Sequence, residues 1–139
     1  MTPSLPDILV GNFMCMIDPG PPEQQGEFMA GKVAVVALLS LLAAQEAERG
    51  AAARVTENAA IRAMLAEAAG DYPIDEVAET ADLTISALDA TNARLRESLI
   101  RLHEAVEARE DTARHHAILR LYVKMADLRR LDMPPLPGR

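Results

Sequence analysis

The residues best suited to chemistry in this chain recur at four-residue steps: His103, Glu107, Asp111 and His115. Imidazole and carboxylate groups are ligands for zinc and iron, and residues four positions apart share one face of a helix. The spacing is therefore that of a candidate metal site, and the elements that carry these residues decide whether they can meet.

Helix geometry argues against this site. Each four-residue step departs from the helical repeat by about 40°, so the ends of the series diverge by about 120° on a straight helix. The di-iron bundle pattern requires a Glu three residues before a His, and no Glu in this chain holds that position. We therefore predict no metal ligand, and we expect His103, His115 and His116 to be ordinary surface residues beside a turn.

Other catalytic patterns are missing from the sequence. It contains no Gly-x-Ser-x-Gly motif and no glycine-rich phosphate loop. The single cysteine, Cys15, lies in an apolar segment with no nearby His, which favours a buried and unreactive thiol. We predict a non-enzymatic protein with no catalytic residue and no cofactor. One cysteine and the lack of a signal-peptide pattern favour a cytoplasmic location.

The amino-acid composition limits which residue types can form the core and which classes of partner the chain can bind. The chain has 139 residues, the size of one domain, and half of them are hydrophobic while only 3% are aromatic. A core made of Leu, Ile, Val, Met and Ala buries little area per residue, so further burial between subunits is expected. The net charge of −7 makes nucleic acid an improbable partner, since binding it requires concentrated Lys and Arg.

The charge is unevenly distributed along the chain. Residues 1–92 contain 4 basic and 14 acidic side chains, whereas residues 93–139 contain 10 basic and 7 acidic ones. Oppositely charged halves favour pairing within the bundle or between two chains. The functional alternative is a basic docking face on the last helix.

Proline and glycine divide the chain into three parts. We predict an irregular N-terminal arm over residues 1–26, a helical bundle over 27–131 and a Pro-rich tail over 132–139. The apolar stretch Ile8–Ile17 within the arm is expected to pack as an extended segment or as one short helix.

The first clear helix is predicted over Phe28–Arg49. It is apolar on nearly every side, which is typical of a central buried helix. Its uncharged run, Val33–Ala44, has 12 residues, and a membrane span needs about 20, so no span is predicted. Gly50 either ends this helix or is tolerated inside a helix that continues to Ala69.

Residues 74–133 contain no Gly or Pro. We predict that helix begins directly after Pro73, with Asp75, Glu76 and Glu79 in its first turns. As one helix these residues would extend about 90 Å and would need a partner chain. A hairpin is favoured instead, because the segment 107–116 is polar and Asp111 or Thr112 could cap a new helix.

The sequence thus predicts an all-α fold: an antiparallel bundle of about four helices, the last two long, completed by oligomerisation. The expected function is protein–protein association as an oligomeric scaffold, adaptor or chaperone-like module. The chain itself is the expected partner, with a dimer favoured, and another protein is a second candidate. The alternative is a bundle that binds a small apolar ligand between its helices. The residues expected at the interface are Leu88, Asn92, Leu95, Leu99, Leu102, Val106, Leu121 and Met125.

Overall fold

The structure, a computed structural model, describes residues 4–17 and 25–133. These residues form four helices and no strand, so the predicted all-α fold is confirmed. The helices are α1 (Leu5–Ile17), α2 (Gln25–Ala68), α3 (Ile85–Ala108) and α4 (Thr112–Arg129). None of the helices in this part of the chain is long and apolar enough to cross a bilayer.

The chain divides into two compact units. The first unit is Met1–Arg49 with Leu131–Arg139, and the second is Gly50–Arg130. Helix α2 contributes residues to both, because it continues through Gly50 without a break. The alternative in which Gly50 is tolerated inside a longer helix is therefore the correct one.

Helix α1 lies in the first unit and begins at a capping pair. The Ser4 hydroxyl donates to Asp7 Oδ2 at 2.7 Å, and the Asp7 backbone N–H donates back to Ser4 Oγ at 3.4 Å. This part of the predicted irregular arm is thus a helix, the second of the two forms expected for it. The side chain of Cys15 and the tail from residue 134 onwards lie outside the described residues.

The first half of α2 exposes apolar side chains in the single chain. Val33 is 63% exposed, Val35 44% and Leu41 41%. The prediction of a central buried helix is therefore wrong for one chain. Besides α1, the described residues of this unit supply only a short segment next to the helix, where Gln45 Nε2 donates to the Asp132 carbonyl at 2.9 Å.

The second unit has a continuous apolar core. It is formed by the second half of α2, by α3 and by α4, at positions that recur every three or four residues and so share one face of each helix. The buried residues of this core are Ile61, Leu65, Ala68, Tyr72, Leu95, Leu99, Leu102, Val106, Ile118, Leu121 and Met125.

Helices α3 and α4 form a hairpin, as favoured from the sequence. The turn needs no glycine, because Glu110 itself adopts the left-handed conformation, with φ of 55°. Asp111 is the N-cap of α4, and its carboxylate accepts from the Arg114 backbone N–H at 3.1 Å. Of the two cap residues considered, Asp111 is therefore the one used.

Removing this cap should weaken the hairpin. We expect Asp111→Ala to lower the melting temperature by several degrees, because the first-turn N–H groups of α4 lose their acceptor and the Tyr72 hydroxyl loses its partner at 3.1 Å. Asp111→Asn, which keeps an acceptor oxygen, should remain close to the unmodified protein in thermal unfolding followed by circular dichroism. If Thr112→Ala destabilises the chain more than Asp111→Ala, this assignment of the cap is wrong.

The segment 73–83 contains no helix, and the prediction that helix begins after Pro73 is wrong. Helix α3 begins at Ile85, with the Thr84 side chain accepting from the Ala87 N–H at 3.4 Å. The Arg62 guanidinium on α2 donates to the carbonyls of Val77 and Ala78. These long-range hydrogen bonds attach the segment to α2, and Asp75, Glu76 and Glu79 do not form the first turns of a helix.

The non-helical segment 73–83 allows α2 and α3 to run in the same direction within the second unit. Arg54 on α2 contacts Asp89 near the start of α3 at 2.7 Å, and Tyr72 after α2 contacts Asp111 after α3. An extended chain covers about twice the distance of a helix per residue, so a short segment can return along α2. Helix α4 then runs antiparallel to α3.

Candidate functional site

The α3–α4 hairpin brings His103, Glu107 and His115 together. His103 and Glu107 are one turn apart on α3, and His115 faces them from α4. His103 Nε2 lies 3.0 Å from His115 Nδ1, and Glu107 Oε1 lies 3.6 Å and 3.8 Å from those two nitrogens. The divergence expected along one straight helix does not apply here, because the hairpin places His115 on a second helix.

Tyr122 is the fourth member of this cluster. Its hydroxyl lies 3.3 Å from His103 Nδ1, and the two ring centroids are 5.5 Å apart. Burial raises the pKa of Tyr122, so the phenol stays protonated at neutral pH. The sequence did contain a signal for Tyr122, since it follows His115 by seven residues, about two helical turns, and so lies on the same face of α4.

The cluster is closed on one side and open on the other. The side chain of His103 is only 16% exposed, that of His115 is 32% exposed and that of Glu107 is 58% exposed. His103 is therefore not the ordinary surface residue that was predicted, whereas His116 is exposed as expected. Asp111 is not part of the cluster, because it caps α4.

A second polar cluster centres on Glu57 of α2, whose side chain is fully buried. Glu57 Oε1 accepts from Asn92 Nδ2 at 2.9 Å and from Arg96 Nη2 at 2.7 Å, while Oε2 accepts from Arg129 Nε at 2.6 Å. Its carboxylate thus joins α2 to both α3 and α4. We call Glu57, Asn92, Arg96 and Arg129 the Glu57 network.

The Glu57 network keeps its central carboxyl ionised. Burial alone would raise the pKa of Glu57, but the hydrogen bonds from Arg96, Asn92 and Arg129 outweigh it and hold the pKa below its ordinary value. Glu57 was not singled out from the sequence. The signal for it was a polar residue four positions before Ile61, on the stripe that forms the core face of α2.

The residues predicted at a subunit interface all lie inside the second unit. None of the eight is more than 7% exposed in the single chain. They are Leu88, Asn92, Leu95, Leu99, Leu102, Val106, Leu121 and Met125. Within the chain, Asn92 Nδ2 donates to Glu57 Oε1 at 2.9 Å and to Asn58 Oδ1 at 2.8 Å.

Two grooves lie between the segment 73–83 and α2, with volumes of about 220 Å³ and 350 Å³. Both are open to solvent, and their walls include the charged side chains of Arg62 and Glu79. A site for a small apolar molecule is usually an enclosed, mostly apolar cavity. These grooves lend the apolar-ligand alternative no specific support.

The described residues thus include two polar sites with buried or partly buried charge, the His103–Glu107–His115 cluster and the Glu57 network. The first contains residue types that bind metal ions. The second links α2, α3 and α4 through ion pairs and hydrogen bonds. Comparison with protein-family models, with curated proteins and with solved structures gives no match for this chain, so functional inference rests on its own residues.

Proposed function

We propose that this chain is a non-enzymatic scaffold or adaptor that acts through protein–protein association, with a second copy of itself as the partner of the first unit. The observation that carries this proposal is the exposed apolar surface of the first unit. On α2 it includes Val33, Val35 and Leu41, and on α1 it includes Leu9, 50% exposed, and Val10, 61% exposed.

The exposed side chains on α2 are not confined to one face. Val33 and Val35 are about 200° apart around the helix, so two nearly opposite sides carry exposed apolar groups. The run Val33–Ala44 contains no charged residue. Burying a side chain of this size in an interface stabilises the complex by up to about 1.5–3 kcal/mol, and this free energy favours association.

A second copy is the partner that this surface suits best. An uncharged apolar surface offers no electrostatic feature that would select a different protein, whereas it can pair with its own copy across a twofold axis. Twofold dimers are by far the commonest soluble oligomers. The low aromatic content of the chain also favours additional burial between subunits.

A matched pair of variants tests this proposal. Val33 in the first unit and Val123 in the second are both 63% exposed, and serine and valine have similar helix propensities. We expect Val33→Ser to raise the dimer dissociation constant at least about tenfold, since both subunits lose the contact and each 1.4 kcal/mol is tenfold. Val123→Ser should leave the constant unchanged in sedimentation equilibrium.

Two outcomes of this experiment contradict the proposal. If Val33→Ser and Val123→Ser weaken dimerisation equally, the contact surface is not in the first unit. Unmodified protein that stays monomeric at every concentration reached would remove self-association altogether.

A further inference from the structure

We propose that His103, Glu107 and His115 form a binding site for one divalent transition-metal ion of the Zn²⁺ class. The site lies in the second unit, and it is independent of the association proposed for the first. Two imidazoles and one carboxylate converge from two helices, and their ligand atoms lie within 4.8 Å of one another.

The spacing of the three ligand atoms fits an ion without rearrangement of the hairpin. His103 Nε2, His115 Nδ1 and Glu107 Oε1 form a triangle with sides of 3.0, 3.6 and 3.8 Å. The point equidistant from these atoms is about 2.0 Å from each, which matches Zn–N and Zn–O bond lengths. A small outward shift of the side chains would place the ion above this plane, as tetrahedral coordination requires.

Tyr122 acts as a positioning residue for this site. When His103 binds an ion through Nε2, its Nδ1 carries the proton and donates to the Tyr122 hydroxyl oxygen, 3.3 Å away. A hydrogen bond on the second ring nitrogen fixes the tautomer and the orientation of a ligating histidine. The contact that His103 makes on its far side is therefore the one that a metal-binding imidazole needs.

The ligand types select the class of ion. Imidazole suits Zn²⁺ and its neighbours Co²⁺, Ni²⁺ and Cu²⁺, whereas Mg²⁺ and Ca²⁺ prefer oxygen ligands throughout. Three protein ligands leave a fourth tetrahedral position for water. Glu107 is on the open side of the cluster, with 58% of its side chain exposed, so solvent can reach that position.

The same contacts could be only a hydrogen bond between two imidazoles, with Glu107 nearby by virtue of its helix position. The two interpretations differ in one measurable property. If Glu107 is nearby only because of its helix position, Glu107→Gln leaves Zn²⁺ binding unchanged, whereas a three-ligand site binds one equivalent and loses affinity with each ligand removed.

The test is isothermal titration calorimetry, in which Zn²⁺ is added to the full chain at neutral pH. We expect one equivalent to bind, and we expect His103→Ala, Glu107→Gln and His115→Ala each to weaken binding at least tenfold. The matched controls are His116→Ala and Glu104→Gln, exposed neighbours of the same residue types, together with Cys15→Ser. All three controls should keep the affinity of the unmodified protein. Circular dichroism establishes that each variant is folded.

Two readouts strengthen the test. Because an ion that bridges α3 and α4 binds only the folded hairpin, Zn²⁺ should raise the melting temperature of the unmodified protein and not that of His115→Ala. Tyr122→Phe should weaken binding less than loss of a ligand does, because it removes only the orienting hydrogen bond. The proposal is overturned if His116→Ala weakens Zn²⁺ binding as much as His115→Ala does. It is equally overturned if Mg²⁺ binds as tightly as Zn²⁺, or if no binding is detected.

Discussion

Replacing Glu57 with Ala is expected to lower the free energy of unfolding by about 3–5 kcal/mol, the usual effect of removing one partner from a buried ion pair. Glu57 is fully buried and bonded to Arg96 and Arg129, which approach from α3 and α4. The variant would leave both guanidinium groups partly buried without their shared carboxylate. The effect should appear as a lower urea midpoint at neutral pH.

Two variants serve as controls for this prediction. Glu67→Ala, on the same helix but exposed, should change stability by no more than about 0.5 kcal/mol. Glu57→Gln keeps the size of the side chain and should destabilise less than Glu57→Ala. A Glu57→Ala protein as stable as Glu67→Ala would show that the Glu57 network does not hold the helices together.

The Glu57 network also predicts a dependence on pH. Because the pKa of Glu57 in the folded chain lies below its ordinary value of 4.5, its ionised form stabilises the fold above that pH. This contribution is lost as the pH falls through the folded-state pKa. The difference in stability between the unmodified protein and Glu57→Gln should therefore be full at pH 7 and shrink in acid.

Replacing Ile118 with Ala is expected to cost about 2–5 kcal/mol, the range for truncating a buried aliphatic side chain. Ile118 on α4 is fully buried in the core of the second unit, whereas Ile100 on α3 is 54% exposed. The same chemical change at Ile100 should cost much less, because no cavity is created. Urea unfolding of both variants compares a core position with a surface position directly.

The two isoleucine variants test the orientation of both hairpin helices. If Ile100→Ala were the more destabilising of the two, α3 or α4 would present a different face to the core from the one described. Leu99→Ala offers a further check, since Leu99 is adjacent to Ile100 but is only 1% exposed.

The sequence predicted the hairpin because the evidence for it is local. The polar segment 107–116 and the capping ability of Asp111 are both readable from neighbouring residues. The non-helical segment 73–83 could not be predicted in the same way. It is held by Arg62, which is 15 residues away from Val77 along the chain, and no local pattern indicates that contact.

The convergence of His103, Glu107 and His115 could not be predicted from the sequence for a related reason. The four-residue spacing is visible in the sequence, but whether His115 meets His103 depends on the register of α4 against α3. That register is set by packing of the core and by the cap at Asp111, and periodicity on a single helix does not contain it. The spacing of Tyr122 from His115 places both on one face of α4, but the contact of Tyr122 with His103 depends on the same register.

For the first half of α2, the apolar residues can be identified from the sequence, but the surface that packs against them cannot. The sequence predicts that its apolar residues, such as Val33 and Leu41, lie in a central helix buried by the rest of the chain, whereas both are exposed. The described residues do not cover these side chains, and this shortfall leads to the proposed second copy.

The most direct test of this account is the molar mass of the full, unmodified chain in solution, measured by multi-angle light scattering over a range of concentrations. A chain of 15.0 kDa that pairs through its first unit should approach about 30 kDa as the concentration rises and return towards 15.0 kDa on dilution. A mass of 15.0 kDa at every concentration would contradict the central proposal.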